Sequence, residues 1–151
     1  MLNFEGEGLT VEQKGGKVYL SLEEKLLLSS RSWTVESRGR QAIRQMAQVL
    51  EKNPDIRIMV EGHTDNVPYN GSGQVKDNWD LSVKRATSIV RIITQSSDVD
   101  PSQLIAAGRG EYLPVASNET AKGKARNRRT EIILTPDLSE LYDIIDSDNQ
   151  N

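Results

Sequence analysis

The sequence has no cysteine, a single histidine and one phenylalanine, and aromatic residues fill only 5% of its 151 positions. Without thiols there is no disulfide framework, no thiolate nucleophile and no zinc knuckle. One histidine leaves metal hydrolysis short, because such sites take about three protein ligands and His63 would have only Asp65, Glu61 and Asp77 to help it. None of the serines in LSL, LSS, GSG or LSV sits in the G-x-S-x-G context of a strained nucleophile elbow. No apolar run approaches the roughly 20 residues that cross a bilayer. The opening MLNFEGEGLT lacks the basic start and apolar middle of an export signal, so a chain of this kind that is exported or anchored is expected to be a trimmed piece. Positive charge is not in excess either: the formal net charge is −3, which gives no general attraction to nucleic acid.

What is present reads as one soluble globular unit, 36% hydrophobic and 27% charged. After the turn signal Gly15-Gly16, Val18, Leu20 and Leu22 alternate with polar residues, as in a strand with one buried face. Thr34 is placed to cap a helix whose apolar stripe is Ala42, Ile43, Met46, Ala47, Val49 and Leu50, and Asn53-Pro54-Asp55 stops it. IRIMVE, from Ile56 to Glu61, alternates as a second strand and runs into Gly62-His63-Thr64-Asp65. A loop rich in Gly, Asn and Ser follows, then Asp77 or Asn78 caps a helix with Ala86, Ile89, Val90 and Ile93 inward. Strands around Leu104–Ala107 and Ile132–Leu134, a short helix from near Glu119, and a helix in DLSELYDII complete the pattern. The order predicts an α+β sandwich, with helices on one face of a mixed four-stranded sheet.

Ligands in such sheets bind where strands end and helices begin. Asp65 closes the second strand, while Asn78, Ser82 and Arg85 share one flank of the next helix by its 3.6-residue period. This pair has two readings. A carboxylate beside a guanidinium is an internal salt bridge. Held apart, the two form a receptor for a zwitterion, Asp65 taking an ammonium and Arg85 forking onto a carboxylate. His63 reads as scaffolding, its ring nitrogens tying the loop that aims Asp65. The basic stretch GKARNRR, with no interleaved aromatics, reads as a solvated helix end from which one arginine reaches the crevice. Trp79 reads as a packing residue rather than a stacking platform.

EGHTDN, NWDLSVKRA and GRGEYLPVASNETAKGKARNRRTEI, in this order, resemble the peptidoglycan-binding OmpA-like domain of OmpA-type outer-membrane proteins, peptidoglycan-associated lipoproteins and MotB stators. The likeness covers about Lys17 to Leu134. The loop after Asn66 is closer to the longer one of MotB-like members. The resemblance implies a non-catalytic domain over 17–135, with an N-terminal extension at 1–16 and a C-terminal helix and tail at 136–151. It needs no cofactor or metal. It implies that Asp65 and Arg85 grip the free amino-acid end of meso-diaminopimelate in the peptidoglycan stem peptide. Asn78, Arg128 and Thr64 are the implied further contacts, and His63 and Asn127 the implied supports; Arg129 looks like a strand residue. The implied role anchors a membrane protein to the cell wall on the periplasmic face of the envelope, in association with the outer membrane; the alternative is the wall-anchoring module of a motor stator or secretion system. Membrane attachment would come from a segment absent from this chain, peptidoglycan is the implied partner rather than nucleic acid, and a homodimer is compatible. Two departures stand out: Lys124 replaces a frequent arginine, on what reads as an exposed helix, and Arg31 is unusual in a loop that borders the pocket.

Overall fold

The computed structural model describes residues 8–29, 32–71, 73–136 and 145. Five strands form one mixed sheet in the order β1-β2-β5-β3-β4: β1 Leu9–Lys14, β2 Lys17–Glu23, β3 Ile56–His63, β4 Leu104–Gly108 and β5 Arg129–Pro136. Only β3 and β4 run parallel; every other neighbouring pair is antiparallel. The helices are α1 Glu24–Leu27, α2 Ser37–Leu50, α3 Asn78–Ser96 and α4 Ala121–Asn127.

The sheet has one more strand than the alternation predicts. β1 pairs with β2 through a two-residue turn in which Gly15 and Gly16 both take positive φ, 59° and 77°. That is the mirror-image hairpin turn whose twist matches the strands and which side chains resist. Only Leu9 of β1 is buried, so the edge strand carries almost no alternation signal of its own.

Ile58, Val60 and Ile132 sit at 0–1% exposure on the face covered by α2 and α3, packed with Leu27, Ala47, Ile89 and Ile93. Each such side chain contributes about 1.5–3 kcal/mol on burial. The α2 stripe forms as predicted except for Val49, which is 62% exposed. Its start differs as well: Glu36, not Thr34, is the N-cap residue and makes no side-chain cap bond. Val35 forms a bridge with Leu28, which keeps the backbone extended past Thr34. At α3 the predicted cap is in place, with the Asp77 carboxylate accepting from the Asp80 N–H. α4 begins after Thr120, which caps it through Gly123.

Gly62 sets how closely α3 lies on the sheet. A Cβ there would run into the Ser82 carbonyl, so β3 and α3 meet backbone to backbone, and Arg85, one turn on, is carried under the loop that follows β3. Apart from Ile145, the stretch DLSELYDII in which a helix is expected lies outside the described residues, as does the loop residue Arg31.

Candidate functional site

Where β3 ends, Thr64 and Asp65 leave the sheet and remain buried, at 4% and 6% exposure. The Thr64 N–H is held by the Gly110 carbonyl at 2.9 Å, which ties this turn to the end of β4. Asp65 Oδ1 accepts the Val67 N–H at 3.0 Å, an Asx-type turn that aims the carboxylate inward. Asn78, at the first turn of α3, donates to the carbonyls of Val67 (3.1 Å) and Asp65 (3.4 Å) and to Glu111 (3.3 Å). Helix and loop are thereby locked together at the mouth of a cavity of about 140 Å³.

Asp65, Arg85, Asn78, Arg128 and Thr64 all line that cavity. Asp65 and Arg85 are not bonded to each other. Each has an internal counter-charge: Arg128 Nη1 lies 2.8 Å from Asp65 Oδ2, and Arg85 Nη2 lies 2.6 Å from Glu24 Oε1. Arg128 Nε then closes the series on Glu24 Oε2 at 2.8 Å. The site is a relay of four alternating charges, Asp65, Arg128, Glu24 and Arg85. Burial disfavours the Arg128 cation, but the hydrogen bond to Asp65 and the charges of Glu24 and Asp65 outweigh it and hold its pKa above the ordinary arginine value.

Glu24 is the member that the motifs did not reveal. It lies in α1, four residues long and too short to show a helical period, and its partners are 61 and 104 positions away. Tyr69, Val67 and Leu81 add an apolar side to the cavity, and Lys124, expected on an exposed face, also lines it. With Lys124 the lining holds three cations against two carboxylates. Arg85 donates through Nε to the Ser32 carbonyl at 2.7 Å, so the segment beside Arg31 does border the site. Ser82 does not line the cavity: it donates to the Trp79 carbonyl and accepts from the Gly110 N–H, behind the site.

His63 departs from its expected role. Residues 59, 61 and 63 point to the face of β3 away from the helices, because side chains alternate along a strand. Its Nε2 lies 2.8 Å from Glu61 Oε1 and 3.8 Å from Glu131 Oε2, so it ties sheet residues together rather than the Asp65 loop. Its Nδ1 is buried with no hydrogen-bond partner among the described residues. Glu61, His63 and Glu131 bring ligand-type atoms within 4.8 Å of one another. Arg109 on Glu61 (3.3 Å) and Arg129 on Glu131 (3.0 Å) already supply the positive charge that a metal ion would bring. The hydrogen bond from His63, with the His63 and Arg109 charges, keeps the Glu61 pKa below the usual glutamate value against the opposing effect of burial. Asn127 is fully buried; its amide oxygen accepts from the N–H groups of Val115 and Ala116, and its amide nitrogen donates to the Ala116 carbonyl and to Asn118. Arg129 is a buried strand residue whose guanidinium reaches the Leu113 carbonyl.

The fold is a mixed sheet with helices on one face and a cavity lined by alternating charges where β3 ends. Residues 30–128 match the OmpA family, and the chain belongs to it. It is 33% identical over 117 residues to Motility protein B of Bacillus subtilis, an alignment covering 78% of this chain and 44% of that protein. Among solved structures it is similar to the periplasmic domain of Helicobacter pylori MotB, at TM-score 0.80 and 27% identity over 98% of this chain and 93% of that one. It is also similar to the cell wall anchor of the T6SS from Pseudomonas aeruginosa, at TM-score 0.79 and 28% identity over 89% and 92%. The chain spans about half the length of the curated relatives it matches, 44% and 57% for the first two.

Proposed function

We propose that this domain binds peptidoglycan without catalysis, taking the zwitterionic end of meso-diaminopimelate from a stem peptide into the cavity between Asp65 and Arg85. The observation that carries this reading is that the two opposite charges line one small cavity without bonding to each other. Their existing partners do not exhaust them. A carboxylate offers about four acceptor positions and a guanidinium five donors, whereas Asp65 accepts two bonds and Arg85 donates two among the described residues. An ammonium can add to Asp65 and a carboxylate to Arg85, with Arg128 and Asn78 beside them. The surplus cation in the lining suits a stem peptide, which carries further carboxylates.

Each charge-assisted bond contributes roughly 1.5–3 kcal/mol, so one stem peptide is held only moderately. The polymer compensates, because a tethered or oligomeric parent meets many copies at high effective concentration. In this reading the domain is a wall anchor on the periplasmic face of the cell envelope, and its parent is fixed to a membrane by another segment. The likeness to Motility protein B and to the MotB periplasmic domain favours a second reading within it, in which the parent is a motor stator. A membrane span carrying a carboxylate in the full-length parent would favour that stator; a lipid-modified cysteine would favour passive anchoring. Co-sedimentation with purified diaminopimelate-type sacculi tests the proposal: the wild-type domain should pellet and Asp65→Ala should stay in solution. Equal pelleting of both would overturn the assignment of this cavity.

A further inference from the structure

Next in sequence to Asn78 of the cavity lining and to its partner Glu111 stand two aromatic side chains that the charge relay does not use. Trp79 and Tyr112 stack with ring centroids 5.1 Å apart and planes inclined by 29°. They are 48% and 60% exposed, among the most exposed large hydrophobic residues described. Both adjoin the hydrogen bond that closes the mouth, because Trp79 follows Asn78, Tyr112 follows Glu111, and the Asn78 amide donates to the Glu111 carboxylate. Gly110 touches both rings in the sense that a Cβ there would lie 3.4 Å from each, and its carbonyl holds the Thr64 N–H. The rings are thus fixed to the same turn that aims Asp65. A pair that served only to pack would be expected to hide its area; this one holds its shape while leaving about half of it in water.

We infer that the stacked Trp79–Tyr112 pair is a sugar subsite, taking the apolar face of a pyranose ring of the glycan strand while the stem peptide from that strand enters the cavity. The inference rests on the peptidoglycan reading given above. Its chemistry is direct: a pyranose has a face of C–H bonds and a rim of hydroxyl groups, and Tyr and Trp offer an apolar body with a polar handle. The Glu111 carboxylate, one residue before Tyr112 and bonded to the Asn78 amide, supplies an acceptor for that rim. In peptidoglycan the third residue of the stem is separated from its muramic acid by only two residues, so a sugar has to lie close to wherever the diaminopimelate is held. The aromatic pair is an exposed apolar surface that follows Asn78 and Glu111 in sequence, and Asn78 lines the cavity.

Calorimetry with a free stem tripeptide and with the same tripeptide on its disaccharide separates the two sites. The wild-type domain should bind the glycosylated ligand roughly two- to tenfold more tightly, the gain of one aromatic-strength contact. Tyr112→Ala, at an exposed position, should remove that gain and leave the affinity for the free tripeptide unchanged, whereas Asp65→Ala should abolish both. Trp79 emission, read in a Trp33→Phe background, should shift with the glycosylated ligand and not with the tripeptide. Equal affinity of the wild type for both ligands, or an equal loss for both in Tyr112→Ala, would overturn the subsite. If the free tripeptide fails to bind the wild type, the cavity reading falls by itself. The disaccharide alone, titrated against wild type and Tyr112→Ala, then decides the platform: Tyr112-dependent binding upholds it, and no binding overturns it.

Discussion

Removing the Asp65 carboxylate leaves Arg128 with Glu24 as its counter-charge, so Asp65→Ala is expected to fold normally. It should lose stem-peptide affinity by roughly 2–5 kcal/mol, because the ligand ammonium would be buried beside Arg128 without a partner. Arg85→Ala differs in also costing stability, on the order of 3 kcal/mol, since it strips one cation from the buried Glu24. Thermal melts should separate the two variants, with only the second shifted down markedly. Glu24→Gln keeps the side-chain shape and removes the internal carboxylate against which a ligand carboxylate competes. Its affinity for the stem peptide should rise in calorimetry, and an unchanged or lower value would mean that Glu24 orients Arg85 rather than competing for it. The outer-face pair makes a separate prediction. The folded-state pKa of Glu61 is lowered, so its contribution to stability is present above the unfolded glutamate value and disappears as pH falls through the folded one. The stability advantage of wild type over Glu61→Gln should therefore shrink as pH is lowered from about 5 to about 3 in denaturant titrations. Asp65, Asn78 and Arg85 are legible because a strand end and the start of the next helix bring them together by local rules, whereas Arg128 is pointed to by the resemblance of its NRR stretch alone. Glu24 is not legible, since only tertiary packing brings α1 to Arg128 at the end of α4 and to Arg85 of α3.

Among the elements, β2, β3, β5, α2 and α3 announce themselves through periods of 2 or 3.6, and those periods survive because each packs one face on the core, whereas β4 has no buried face and is marked only by its flanking turn signals. β1 and α1 were illegible for opposite reasons: the edge strand buries only Leu9, and the helix has a single turn. The period also corrects the role of His63. Continuing the alternation of β3 two residues past Glu61 puts His63 with Glu61, opposite the cavity, and β3 does run through His63. The close approach of β3 to α3 gives the element-scale prediction. Gly62→Ala should destabilise the fold by about 1–3 kcal/mol through overpacking. It should also weaken stem-peptide binding, because α3 carries Asn78 and Arg85 and would be pushed off the strand that carries Asp65. A stable variant with unaltered affinity would show that the backbone contact does not set the site.

For the whole molecule, an acidic domain carries a locally cationic cavity, with three positive side chains against two negative ones, in a chain of formal net charge −3. Binding of an anionic stem peptide should weaken with added salt, but less than a surface contact would, because Asp65 and Arg85 are buried and poorly screened. Under the proposed wall-anchor reading, the many stem peptides of one polymer would let a moderate single-site affinity suffice. The central claim is that one cavity separates two opposite charges so that a doubly charged amino-acid end fits between them. Calorimetry of the wild-type domain with two stem tripeptides, one with meso-diaminopimelate and one with lysine at the third position, tests it most directly. The lysine peptide keeps the ammonium and lacks the carboxylate destined for Arg85, so it should bind at least roughly tenfold more weakly; indistinguishable affinities would contradict the account.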